Sequence, residues 1–283
     1  MRVAFLGPAG TFTEEALRAS APGHVDELPY PTVYEAVMAV QEGDADRSVV
    51  PIENSLEGGV AATLDALANE ADRVRIAAEV VRPVHHCVVA RRELGLEEAA
   101  RVVSHPQATA QCARFLRMRL PDAERMSASS TAEAVRIVRD SDEPWVALGS
   151  RLSAELYDCR VLAADVEDDP GNLTRFVWLA REDELGEPGP RAKTSIVFWG
   201  AGDESPGWLV SVLLELAERS INLTRIESRP RRVRLGHYMF FADLEGGADQ
   251  PPVAEALRAL GDRVEGLRIL GSYPAAPPPD PGG

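Results

Sequence analysis

Five short polar stretches sit where apolar runs end, and each carries residue types able to do chemistry. In GNLTRF, residues 171–176, Thr174 and Arg175 stand at the mouth of an apolar strand. A guanidinium there can clamp a carboxylate through two parallel hydrogen bonds, and the neighbouring hydroxyl can donate one more. An edge-strand arginine in water explains the same residues equally well. In VVPIENSLEGGV, residues 49–60, Glu53, Asn54 and Ser55 follow a strand, which is the edge where open α/β sheets bind ligands. The plain alternative is a Pro/Gly turn with an Asn cap. In VVSHPQATAQC, residues 102–112, Ser104 and His105 end a strand and Pro106 suits a first helical turn. Gln107 and Gln111 then share one helix face, and an N-cap followed by a solvated face reads as well.

GPAGTFTEEA, residues 7–16, is a strand-to-helix corner in which Gly7 and Gly10 allow a tight turn and Thr11 with Glu14 has capping-box spacing. Its free N–H groups could cradle a carboxylate, or simply start a helix. SSTAEA, residues 129–134, is a second such corner, with Ser130 and Thr131 as hydroxyl caps. The adjacent His85 and His86 are expected in a strand with their rings on opposite faces, unable to share a metal ion.

Several chemistries are excluded. The chain has 30 Lys and Arg residues but only one lysine, Lys193, outside any motif, which argues against Schiff-base chemistry and a phosphate-loop lysine. Cys87, Cys112 and Cys159 are far apart, with the spacing of neither a zinc site nor a disulfide framework. A net charge of −15 repels nucleic acid and anionic lipid, so an anionic substrate needs a locally positive pocket. No apolar run spans a bilayer and none near the N-terminus serves as a secretory signal, so a cytoplasmic protein is expected.

The elements that must position these residues alternate. Short apolar strands and helix-period stretches succeed one another from RVAFL to TRFVWLA, which argues α/β with largely parallel sheets. A charged Pro/Gly-rich stretch at 183–193 reads as a linker. Beyond it the order βαββαβ over 194–272 is the split ferredoxin-like arrangement, and a Pro/Gly-rich tail at 273–283 is expected to be disordered.

Taken in order, GPAGTFTEEA, VPIENSLEGGV, SHPQATAQC, STAEA, ELY and NLTRF resemble the motif series of prephenate dehydratases. The segment with PGWLVSVLLELA and INLTRIESRP resembles the phenylalanine-binding ACT domain that follows that enzyme. The resemblance implies a catalytic domain over 1–182 built as two lobes like a type 2 periplasmic binding protein, with a cleft between. Lobe one would comprise about residues 1–80 plus a strand returning near 165–182. It implies conversion of prephenate to phenylpyruvate, water and CO₂ without metal or organic cofactor, since aromatisation of the ring drives the loss of both groups.

Carried over residue by residue, Thr174 is expected as the hydrogen-bond donor to the departing hydroxyl and Glu53, protonated by burial, as the candidate general acid. Asn54, Ser104 and Gln111 join them, with Arg175, Thr11, Ser55, Gln107, Thr131 and Phe176 as substrate contacts. His105 receives no role. Arogenate dehydratase and a non-enzymatic two-lobed sensing module are the alternatives. The chain starts directly at its first strand, so a monofunctional dehydratase is expected.

The resemblance further implies that ACT domains pair into a homo-oligomer, dimer or tetramer, and bind phenylalanine as effector. The residues are Gly207, Trp208 and Leu209 at a helix start, and Glu227, Ser228, Arg229 and Pro230 in a strand. Trp208 stands where the family carries alanine, and could line the pocket, shrink it or point elsewhere. NLTR recurs at 222–225, but there Thr224 and Arg225 should occupy opposite faces of a ferredoxin-like strand.

Overall fold

The computed structural model describes residues 1–200 and 205–277. In chain order the elements are β1 Arg2–Leu6, α1 Phe12–Ser20, β2 Asp26–Tyr30, α2 Val33–Glu42, β3 Arg47–Asn54, β4 Gly58–Gly59, α3 Ala61–Asn69 and β5 Val74–Pro83. Then come β6 Cys87–Ala90, β7 Arg101–Ser104, α4 Pro106–Gln111, α5 Ala113–Arg119, β8 Glu124–Ser127, α6 Thr131–Arg139, β9 Trp145–Gly149, α7 Arg151–Leu156, β10 Arg160–Ala163 and β11 Leu173–Arg181. The C-terminal elements are β12 Ala192–Trp199, α8 Trp208–Ala217, β13 Leu223–Pro230, β14 Tyr238–Glu245, α9 Pro251–Gly261 and β15 Gly266–Pro274.

Among the described residues, five helices start on a side-chain cap, four of them near the quoted motifs or the strands that carry them. Thr11 Oγ1 accepts from the Glu14 N–H, Ser130 Oγ from Glu133, Ser150 Oγ from Ser153, and His105 Nδ1 from Gln107. Each cap satisfies an N–H that the helix itself leaves without a partner. The helices α1, α4, α6 and α7 each open a few residues past a strand end, which puts helix starts and polar caps on the strand edges where the quoted motifs lie.

The first sheet has the order β2-β1-β3-β11-β5, with β4 on β3. Strand β11 therefore returns into it between β3 and β5, as expected for a discontinuous lobe. Seven consecutive residues of β11, Thr174 to Ala180, are buried, as in a strand covered on both faces. The second sheet has the order β10-β6-β9-β7-β8. Its alternation is clean: Val88, Ala90 and Leu148 pack with Leu116 and Leu120, while Cys87, Val89 and Ala147 pack with Val135 and Val138 of α6. Largely parallel sheets were expected, and the second sheet is mixed: β7 pairs in parallel with β8 and β9, whereas β6 pairs antiparallel with β9 and β10.

By its contacts the chain forms two compact units, one of Met1–Ala36, Val49–Gly58 and Val81–Phe176, the other of Val37–Ser48, Gly59–Val80 and Val177–Gly283. The second contains the antiparallel sheet β13-β14-β12-β15 with α8 and α9 packed on Ile196, Phe198, Ala242 and Leu244. This is the ferredoxin-like βαββαβ order expected for 194–272.

Two expectations change at the edges. Ala192 and Lys193, placed in the linker, already belong to β12, and Lys193 Nζ lies 2.7 Å from the enclosed Glu79 carboxylate. Tyr273 and Pro274, placed in the tail, continue β15. Tyr273 is fully enclosed with its hydroxyl 2.6 Å from Ser195 Oγ, because the strand alternation turns it inward. Residues 278–283 of that tail lie outside the described residues. Among the described residues no helix is long and apolar enough to cross a membrane.

Candidate active site

The end of β3, the start of β11 and the last residue of α4 converge on one polar cluster. The Asp169 side chain accepts from the Gly171 N–H at 2.8 Å and closes the turn that feeds β11. Ser55 ties the two strand ends together: its N–H donates to the Leu173 carbonyl at 2.8 Å, and its Oγ accepts from the Leu173 N–H at 2.9 Å. Ser55 thus serves the backbone beside Thr174.

Asn54 is the hub. Its Oδ1 accepts from the N–H groups of Leu56 and Glu57 at 3.0 and 3.1 Å. Backbone N–H can only donate, so Nδ2 must face the other way. There it donates to Thr174 Oγ1 at 2.9 Å and Asn172 Oδ1 at 2.7 Å. Asn172 Nδ2 in turn reaches Gln111 Oε1 at 3.3 Å, and His86 Nε2 lies 3.0 Å from the same oxygen. The structure thus brings Thr174, Asn54 and Gln111 together as expected and adds Asn172 and His86.

Arg175 follows Thr174 on the opposite face of the strand. It is 8% exposed, with Nε 3.3 Å from Glu53 Oε2. The Glu53 side chain is 35% exposed and paired with that guanidinium. Its structural position is that of a counter-ion orienting Arg175. Phe176, expected at the substrate, is enclosed in the core, because it shares the fully covered middle of β11.

Two further expected contacts direct their hydroxyls at backbone carbonyls. Ser104 is buried with its hydroxyl directed at the Leu148 carbonyl, 3.3 Å away. Thr11 donates to the Leu6 carbonyl at 2.9 Å while capping α1. Thr131 is the first residue of α6 and Ser130 is its cap. Gln107 is exposed on α4.

The corner at 7–16 is tied to α7 and shares a cavity with the corner at 129–134. Ser150 Oγ donates to the Gly10 carbonyl at 2.9 Å and Tyr157 OH to the Ala9 carbonyl at 2.8 Å. Gly10 has φ of +89°, and a Cβ on it would sit 2.9 Å from Ser153 Cα, so only glycine fits. The Gly10 N–H is taken by Glu14 Oε2 at 2.6 Å. Burial pushes the Glu14 carboxyl up, opposed by that N–H and by Arg18. Thr11, Pro29, Tyr30, Ser129, Ser130 and Glu133 are among the residues lining a cavity of about 520 Å³ at these corners.

His85 and His86 precede β6 instead of lying in it. His85 Nδ1–H donates to Glu167 Oε1 at 2.7 Å, and the His86 backbone N–H donates to Glu167 Oε2 at 2.9 Å. His85, Asp165 and Glu167 bring ligand-type atoms within 4.8 Å of one another, but Glu167 spends both oxygens on these two hydrogen bonds. Burial pushes the His86 imidazole below its ordinary value, against the opposing influence of Gln111 and Glu167. Sequence reasoning set His86 aside by placing it in a strand. The signal that could have kept it was its place just before the apolar CVVA run, at a strand's entry.

In the ferredoxin-like region Trp208 points inward. Its indole Nε1–H donates to the Arg263 carbonyl at 3.1 Å, and its ring packs 6.0 Å from Phe240 and 6.4 Å from Phe198. With Gly207, Leu209, Val210, Tyr238 and Phe240 it lines a cavity of about 310 Å³. A second cavity of about 270 Å³, which Pro230 lines, shares Gly236 and Tyr238 with the first. Ser228 is exposed on β13. Glu227 pairs with Arg225 and lies against Gly59, where a Cβ would collide with its carboxylate. Arg229 grips the Asp65 carboxylate of α3 through Nε and Nη2 at 2.8 and 3.0 Å. Two residues expected at an effector thus hold α3 and its approach. Thr224 Oγ1 donates to the Asp243 carbonyl at 3.2 Å, and Arg225 approaches the buried Asp243.

Comparison with known proteins agrees with this architecture. The prephenate dehydratase family profile matches residues 3–184 and the ACT domain profile residues 194–262. The prephenate dehydratase of Mycolicibacterium vanbaalenii is 42% identical over 98% of this chain and 94% of its own length. A prephenate dehydratase from Arthrobacter aurescens, solved in complex with L-Phe, superposes with a TM-score of 0.89 at 39% identity, covering 97% of this chain and 90% of that one. GqqA, described as a quorum-quenching acylase, superposes with a TM-score of 0.87 at 33% identity over 98% of this chain and 99% of its own.

Proposed function

The chain belongs to the prephenate dehydratase family with a C-terminal ACT domain, and on that footing we propose that it converts prephenate to phenylpyruvate, CO₂ and water in phenylalanine synthesis. The residues assigned to the reaction are part of the same proposal, as is the division into a catalytic domain at 1–182, a linker near 183–193 and an ACT domain from 194. The observation that carries it is the hydrogen bond from Asn54 Nδ2 to Thr174 Oγ1.

The chemistry breaks two bonds. The ring carbon–oxygen bond breaks toward oxygen, which leaves as water after gaining a proton, and the bond to the ring carboxylate breaks toward the ring, releasing CO₂. Thr174 is far too weak an acid to give up a free proton at neutral pH, so its O–H stabilises charge building on the departing oxygen. Asn54 occupies a lone pair of that hydroxyl, which points its proton outward. Arg175, oriented by Glu53, clamps a substrate carboxylate and fixes the reacting geometry. Gln111 offers its amide N–H groups, since its oxygen is held by Asn172 and His86.

The acylase reading, raised by the likeness to GqqA, lacks support in the site. An acyl-transfer nucleophile needs an adjacent base, whereas Thr174 Oγ1 faces the Asn54 amide donor.

Phenylalanine is the proposed effector. The L-Phe complex of the Arthrobacter aurescens relative and the aromatic cavity at Trp208 support it. Self-association through ACT domains fits the exposed Val210, Leu214, Ile226, Val233, Leu235 and Tyr238 and the edge position of β13, whose unpaired side can accept a strand. Cytoplasmic action fits three free cysteines, since unpaired thiols persist in a reducing compartment.

The test is phenylpyruvate formation from prephenate and phenylalanine formation from arogenate, compared as kcat/KM. Turnover of prephenate alone supports the reading. Preference for arogenate replaces the substrate, and turnover of neither overturns the enzyme.

A further inference from the structure

The hydrogen bonds at Thr174 belong to a longer series whose far end is His86, and the direction of every bond in it is fixed from the near end. The N–H groups of Leu56 and Glu57 oblige Asn54 to turn Nδ2 toward Thr174 Oγ1 and Asn172 Oδ1. Asn172, its oxygen taken, turns Nδ2 on Gln111 Oε1. That oxygen can only accept, so its second neighbour, His86 Nε2 at 3.0 Å, must carry a proton.

His86 is held for this task. It is 2% exposed, its N–H donates to Glu167 Oε2, and its carbonyl accepts from the Val166 N–H at 3.0 Å. The Phe12 ring meets the imidazole edge-on, with centroids 5.4 Å apart and planes at 86°. Nδ1 is buried and makes no hydrogen bond among the described residues.

We propose that His86 is a positioning residue for the dehydration: its Nε2–H holds Gln111 Oε1, so that the Gln111 amide N–H groups, and not its oxygen, are the side turned to the substrate. The inference rests on the dehydratase reading of the site. Because burial disfavours the imidazolium, the ring has one N–H to give at neutral pH, and it is spent on Gln111. A packing role alone would be met by a phenylalanine against Phe12. That replacement would leave the Gln111 oxygen one donor short and free its amide to turn over, presenting an acceptor where the substrate needs a donor.

The experiment is steady-state kinetics on prephenate with His86→Gln, His86→Phe and His86→Asn, alongside thermal melting. Glutamine can place an N–H near the Nε2 position, phenylalanine keeps a ring without a donor, and asparagine ends too short. We expect His86→Gln to keep kcat within about threefold of the parent, and His86→Phe and His86→Asn to lose about 10- to 100-fold in kcat with KM changed by less than about threefold. Parental kcat in His86→Phe, or equal losses in His86→Gln and His86→Phe at unchanged melting, overturns the proposal. If His86→Phe does not fold, the Gln and Asn variants decide, and equal kcat in that pair overturns it. Failure of the unsubstituted protein to release phenylpyruvate would instead sink the dehydratase reading, and is seen before any substitution is made.

Discussion

Asn54 Nδ2 donates to Thr174 Oγ1 at 2.9 Å, across 120 residues of sequence. A hydroxyl oxygen that accepts from a fixed amide keeps its own proton to give, so the orientation of Asn54 decides which way Thr174 can act. Asn54→Asp replaces the donor by an acceptor and draws the Thr174 proton back on itself. We expect kcat to fall by roughly 100-fold or more, with KM changed far less. Stopped assays of phenylpyruvate across a substrate series check this, and a parental kcat would refute the donor arrangement.

The two NLTR segments separate under one kind of substitution. Thr174→Ala removes the donor itself and should cost orders of magnitude in kcat at similar KM. Thr224→Ala removes only a bond to the Asp243 carbonyl and should leave basal turnover within about twofold, with a stability change near 1 kcal/mol. Equal damage from both would mean that neither threonine acts on the substrate.

Glu53 distinguishes a counter-ion from a general acid. As the partner of Arg175, its replacement by glutamine should loosen the clamp, raising KM about 3- to 10-fold with kcat within about tenfold of the parent. A collapse in kcat with normal KM would restore the proton-donor role.

Stability should carry a pH signature from His86. Its folded-state value is depressed below the ordinary 6.5, by burial first and by neighbouring His85, with Gln111 and Glu167 opposing. Between the folded and unfolded values the unfolded chain holds more protons, so stability is full above the unfolded value and is lost as pH falls through the folded one. The melting temperature should drop more between about pH 7.5 and about pH 5.5 in the parent than in His86→Gln. Identical pH slopes would remove this contribution.

Asp65 offers a way to separate regulation from catalysis. Its carboxylate holds Arg229 and, from the adjoining loop, Arg232, and α3 starts two residues after Gly59, against which Glu227 lies. Asp65→Ala should leave turnover without phenylalanine within about twofold while shifting the phenylalanine concentration for half-maximal effect by about 5-fold or more, a coupling change of about 1 kcal/mol. An unchanged response would show that α3 does not read the ACT strand.

What the sequence determined by itself was local. Caps at Thr11 and Ser130, the apolar strand TRFVWLA and the βαββαβ order follow from residue types and periodicity, which act over a few residues. The motif order carried the family, and through it Thr174, Asn54, Gln111 and Arg175. Tertiary structure decided what those side chains face. Ser104, Thr11 and Phe176 turn to backbone or core because a strand or cap geometry points them there. Glu53 meets Arg175 instead of an apolar wall, and Arg229 meets Asp65 across 164 residues. His86 joined the site only through a chain of amides running from Gln111 to Asn172 to Asn54. Each hydrogen bond is local in space and remote in sequence, so no spacing along the chain announces it.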